Sequence, residues 1–147
     1  MKKKIILTLL GSILVVLFVF GLLIGSFDFT CSKRLGKTNY HIVKSDVNSP
    51  TVVFELCYQY PDMEGMFVGI LDACVAEVYW NEQYILVTSW NVQNDSIEGY
   101  YIIEMLPPVK RGVPWKKTGL LSADEYEQKK QELHLNEKEM KHIDLFD

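Results

Sequence analysis

The chain has little of what enzyme chemistry draws on. Of 147 residues, three are cysteines and three are histidines. Cys31, Cys57 and Cys74 make an odd count with no CxxC, so neither a thioredoxin-like dithiol nor a four-cysteine zinc site is available. His41, His134 and His142 show no HExxH or comparable spacing, and no metal or cofactor is expected. GxSxG, SxxK, GxGxxG and P-loop patterns are missing, and Gly65, Gly69 and Gly112 stand alone, which removes the usual support for elbow-type hydrolysis and phosphate transfer. Basic charge is also short. With Lys2, Lys3 and Lys4 set aside, 12 basic residues face 19 acidic ones, a net charge of −7. Such a domain gains nothing from counterion release on a phosphate backbone, which argues against nucleic acid as a partner.

One long apolar run is present. Ile5 to Ile24 carries no charge over 20 residues, and as a helix rising about 1.5 Å per residue it spans roughly 30 Å, a hydrocarbon core. A cleavable signal has a shorter apolar region, and Leu23, Ile24, Gly25 and Ser26 make a poor cleavage site. Residues 1–26 therefore read as a retained membrane anchor, with secretion after cleavage as the alternative. Asp28, Phe29 and Thr30 ahead of Cys31 do not form a lipobox. Lys2, Lys3 and Lys4 at one end face Lys33, Arg34 and Lys37 at the other, and the lysines flanking the run place the N-terminus inside and the domain outside. Gly21 and Gly25 have the GxxxG spacing, read as ordinary membrane-helix glycine.

The remainder is long enough for one small domain. Residues 27–38 read as a juxtamembrane linker and 39–147 as the folded part. Strands are expected at Tyr40–Lys44 and Thr51–Tyr58, with turn chemistry at 46–50, a loop at Tyr60–Gly65, and an ambiguous apolar stretch at Met66–Leu71. Cys74 to Trp90 reads as a hairpin about Asn81 and Glu82, with Ala76, Val78 and Trp80 alternating against Glu77 and Tyr79. Gly99–Met105 adds a third strand to a meander. Pro107, Pro108, Gly112 and Pro114 mark a surface loop. Ser122 and Glu125 form a capping box, with Leu121 and Tyr126 as its staple, ahead of a helix from Ala123 to Leu133. Asn136 and Glu139 suggest a second helix from Glu137 to about His142. The expected fold is α+β: a four- or five-stranded antiparallel sheet with one or two C-terminal helices.

The run AEVYWNEQYILVTSW, then GYYIIE, then a proline-containing loop and LLSADEYEQKKQEL, resembles short bacterial exported, often lipoprotein-like proteins of unknown function. The resemblance covers Ala76 to Leu133, and its motifs are structural. It implies a bacterial envelope location, here a single pass through the inner membrane with the domain outside the cytoplasm, and lends no activity. The chain departs from the lipoprotein members in lacking the lipobox.

Few residues qualify as a site. Cys57 and Cys74 lie on neighbouring β-rich segments and read either as a disulfide pair or as small buried hydrophobes. His134, at a helix end, suits a structural role beside the dipole. Glu55, Asp62, Glu64, Asp72, Glu77 and Glu82 are potential paired carboxylates that read as solvated surface. Lys110, Arg111, Trp115, Lys116 and Lys117 form the best interaction candidate, a basic loop around an aromatic residue suited to anionic lipid headgroups or an acidic partner. No catalytic residue is expected. The function that follows is a non-enzymatic, membrane-anchored envelope protein binding another protein or an envelope component. An immunity-type inhibitor of a toxin or hydrolase is the alternative, and a small hydrolase with an unrecognised carboxylate or Cys/His site is a third reading.

Overall fold

A computed structural model describes residues 32–45 and 52–146. The anchor expected at 5–24 with Gly21 and Gly25, Cys31, and the turn expected at 46–50 lie outside the described residues. Among the described residues no helix is long and apolar enough to cross a membrane.

Nine strands dominate the described residues: β1 (Ser32–Arg34), β2 (Tyr40–Ser45), β3 (Val53–Gln59), β4 (Phe67–Gly69), β5 (Cys74–Trp80), β6 (Tyr84–Asn91), β7 (Ser96–Met105), β8 (Trp115–Leu121) and β9 (Lys141–Asp144). They form two antiparallel sheets, ordered β1-β2-β3-β4 and β8-β7-β6-β5-β9, with one α-helix among the described residues, α1 (Ala123–Glu132). The α+β expectation of a single sheet under C-terminal helices is corrected: the fold is mostly β. Strand β6 explains why. Ile85, Leu86, Val87, Thr88 and Ser89 are all buried, so both faces of the second sheet need cover, and a 10-residue helix supplies only one.

The first sheet supplies the other. Val78, Trp80, Ile85, Val87 and Ile103 form one core with Leu35, Ile42, Leu56 and Tyr58 of the first sheet and its β1–β2 turn. On the opposite face Leu86 and Ile102 pack with Tyr126 of α1, whose ring stacks on Tyr100 at 4.5 Å. Alternation along β6 and β7 sends successive side chains to these two cores. In β5 a register shift between Val75 and Glu77 makes Ala76 an extra residue, which keeps Val75 and Val78 in the same core.

The expected strands at 40–44 and 51–58, the hairpin and the meander are all present. Three strands are not where the sequence placed structure. β1 begins inside the expected linker, β8 follows the proline loop directly, and β9 replaces the expected helix to His142, leaving only a 3-10 turn at Glu137–Glu139. All three are sheet edges. Gly119 of β8 has φ +144 and lies so close to β7 that a Cβ would fall 2.5 Å from the Tyr101 ring.

The capping box is formed. Ser122 Oγ accepts from the Glu125 N–H at 3.3 Å, and the Ser122 N–H donates to the Glu125 carboxylate at 2.8 Å. The Ser122 backbone and side-chain bonds hold the Glu125 carboxyl below its ordinary range. That stabilisation is therefore present above the unfolded carboxylate pKa and lost as pH falls through the folded one.

Two predictions follow from this architecture. Leu56→Ala, at a fully buried position, lowers unfolding stability in urea by about 2–5 kcal/mol, while Val113→Ala on the surface stays within about 0.5 kcal/mol. In thermal melts between about pH 5 and 3, Ser122→Ala loses less stability than the parent, because the carboxyl it leaves behind titrates nearer its unfolded value.

Candidate functional site

The connection from β7 to β8, residues 106–114, is closed at its base by one carbonyl. Pro114 is fully buried, and its oxygen accepts from the Leu106 N–H at 2.9 Å and from the Tyr40 hydroxyl at 2.7 Å. Tyr40 belongs to the first sheet and the loop to the second, so this bond fastens the loop across the interface between the sheets. Tyr60 adds a second fastening by donating its hydroxyl to the Gly112 carbonyl. Gly112 sits at φ +100, which a side chain would oppose. Beneath the loop, Tyr58 makes edge contacts with Tyr40 at 5.0 Å and Tyr60 at 5.1 Å, and the Trp115 ring lies 5.6 Å from Tyr58. Burial beside Tyr58 pushes the Tyr40 hydroxyl far above its ordinary pKa, so it stays a donor at any physiological pH.

The five candidate residues do not make one patch. Lys110 and Arg111 are exposed on the loop, and Lys110 approaches Asp62 of the β3–β4 loop at 3.9 Å. Trp115 is half-buried and packs onto the inter-sheet core instead of facing solvent. Lys116 and Lys117 are consecutive on a strand and point to opposite faces. Lys116 lies 3.9 Å from Glu104, whereas Lys117 Nζ donates to the Ile70 carbonyl at 3.4 Å and lines a different cavity with Glu55 and Asp72.

What joins Lys110 and Arg111 is apolar. Val113 is 63% exposed on the same loop, and Met66 is 62% exposed on the β3–β4 loop that Tyr60 and Asp62 tie to it. Met63, Leu106 and Val109 are exposed there too. Beside them a groove of about 360 Å³ runs between Lys37, Asn39, Tyr40, Glu82, Leu106 and Pro108. The arrangement gathers an exposed apolar rim, two unburied cations and a concave surface on a fastened backbone, the composition of a contact surface.

Elsewhere the candidate groups are occupied structurally. Among the described residues Cys57 and Cys74 are free and buried thiols. Leu56 and Tyr58 face the core, so Cys57 points to the outer side of the first sheet opposite His41, while Cys74 opens β5 in the second. Burial, with Glu55 nearby, pushes the Cys57 thiol up to about 11. Burial and Arg34 push His41 down, so this cross-strand pair is a neutral thiol beside a neutral imidazole. His134 takes φ +53 immediately past the helix C-cap.

The carboxylates disperse. Glu77 accepts from the Tyr79 hydroxyl and pairs with His142 Nε2, both at 2.8 Å, and His142 stacks on Tyr79. Burial and the Glu77 bond raise Tyr79 to about 12. Glu137, which sequence reasoning did not single out, accepts from the Tyr126 hydroxyl at 2.8 Å and from Lys130 Nζ at 2.7 Å. Lys130 is buried, a cost offset by Glu127 and Glu137, which together raise its pKa. The Glu137 bonds join α1 to the 3-10 turn at Glu137–Glu139, and the Glu77–His142 pair joins β9 to β5. Asp62, Glu64, Asp72 and Glu82 remain on the surface.

No family model, no curated protein and no solved structure matches the chain.

The thiol chemistry is directly testable. At pH 8 a thiol with a pKa of about 11 is only about one part in a thousand thiolate, and Cys57 is buried as well. Cys57 in the native protein therefore resists maleimide for hours and reacts within minutes in denaturant, read by mass spectrometry of the labelled peptide. Rapid native labelling contradicts the placement.

Proposed function

We propose that the chain is a non-enzymatic, membrane-anchored envelope protein whose folded domain binds a partner protein through the β3–β4 and β7–β8 loops. The observation that carries the reading is the Pro114 carbonyl, which takes two donors and so holds the exposed loop in one conformation before any partner arrives. A preordered loop loses little conformational entropy on binding, and that saving appears as affinity. Val113, Val109 and Met66 supply apolar contact, and Lys110 and Arg111 supply steering toward an acidic surface. The anchor at residues 5–24 keeps the domain at the membrane, with its loops outside the cytoplasm.

A second reading has its own support. The net charge of −7 after the anchor suits an inhibitor that neutralises a basic toxin or hydrolase. The two readings call for opposite charge on the partner, and salt and charge-reversal data separate them.

The test is site-specific crosslinking in intact cells. A photoreactive residue at 113 forms a discrete adduct, the same residue at 124 on the helix forms none, and Lys110→Glu with Arg111→Glu reduces the adduct at 113 at least about tenfold while leaving expression and melting temperature unchanged. Equal adducts at 113 and 124, or an adduct at 113 insensitive to charge reversal, defeats the loop reading.

A further inference from the structure

A second cavity, separate from the loop end, has a chemistry of its own. It encloses about 460 Å³ beside the β6–β7 turn and the end of β9. One wall is aromatic and apolar: the Trp90 and Phe146 rings lie 5.6 Å apart at 56°, with Ile97 alongside. Phe146 and Ile97 are each 51% exposed, an uncommon state for two large apolar side chains in one concavity. The other wall carries Asp95, Asp144 and Glu77, and among the described residues no lysine or arginine lines the cavity.

Glu77 is already engaged by Tyr79 and His142. The Asp144 carboxylate accepts from the Phe146 N–H at 3.0 Å, its one side-chain hydrogen bond among the described residues, which ties it to the foot of the aromatic wall. Among the described residues neither Asp95 nor Asp144 forms an ion pair. Asp95 sits at φ +50, a turn geometry that fixes it at the cavity edge. Aromatic faces attract cations through the ring quadrupole, and carboxylates add a charge that a neutral apolar guest cannot use. The volume is that of a small-ligand site.

We propose that this cavity binds a small alkylammonium cation, with Trp90 and Phe146 against its methyl or methylene groups and Asp95 and Asp144 against its charge. The proposal is independent of the loop reading and survives its failure.

The test uses the full chain in a maltoside detergent, which carries no ammonium group. The indole N–H signals of the three tryptophans are followed by NMR, that of Trp90 being identified by its loss in Trp90→Phe. Choline and putrescine shift the Trp90 signal saturably, with Kd of about 1–10 mM, while 3,3-dimethylbutanol, the neutral isostere of choline, does not. Asp95→Asn with Asp144→Asn weakens choline binding about tenfold. Asparagine tolerates the left-handed turn and keeps the acceptor for Phe146, so the variant folds, as unchanged signals from Trp80 and Trp115 verify. Equal shifts with choline and its isostere, no shift with either cation, or binding by a lysine-rich peptide alone each overturns the proposal.

Discussion

The second sheet is buried on both faces, and that constraint organises the rest of the molecule. Successive residues of β6 and β7 pack alternately against the first sheet and against α1 with the C-terminal segment. Each cover brings a polar problem with it. On the helix side, Lys130, Tyr126 and Tyr79 are drawn under cover and are satisfied by Glu127, Glu137 and Glu77. On the other side, Tyr40 goes into the core with a hydroxyl that must find an acceptor, and it finds the Pro114 carbonyl.

That last bond links fold to proposed function. Burying the first sheet against the second places Tyr40 and Tyr60 beneath a loop from a distant part of the chain, and both hydroxyls end on its backbone. Backbone acceptors carry no side-chain identity, so the fastening places no demand on the loop's exposed residues. The same packing draws Trp115 inward and leaves Val113, Lys110 and Arg111 at the surface. A loop held this way depends on the core for its shape and on its own exposed residues for its chemistry.

Much of the framework was legible in the sequence because its signals are local. Asn81 starts the β5–β6 turn by accepting from the Gln83 and Tyr84 N–H groups, and Ser122 and Glu125 cap the helix, both readable over four residues. The edge strands were not legible. SKR, WKKTGLL and KHID are polar or lysine-bearing, as sheet edges tend to be, and show no clean alternation. The division of the strands into two sheets was missed although β6 carried the clue: five buried residues in a row leave no solvent face. Of the candidate site, Lys110 and Arg111 were placed by their loop. Trp115, Lys116 and Lys117 were misgrouped because adjacency in a strand separates side chains to opposite faces. The Tyr40 bond spans 74 residues to a backbone atom and leaves no sequence signal.

The central claim is that the loop at 106–114 is held in place by the first sheet. Amide hydrogen exchange at Leu106 tests it most directly, since its N–H shares the Pro114 carbonyl with Tyr40. The account predicts that this amide is protected in the parent and exchanges at least about tenfold faster in Tyr40→Phe, a change of about 1.4 kcal/mol in local opening, while amides of β5 and β6 keep their rates. An unprotected Leu106 amide in the parent, or equal protection in Tyr40→Phe, contradicts it.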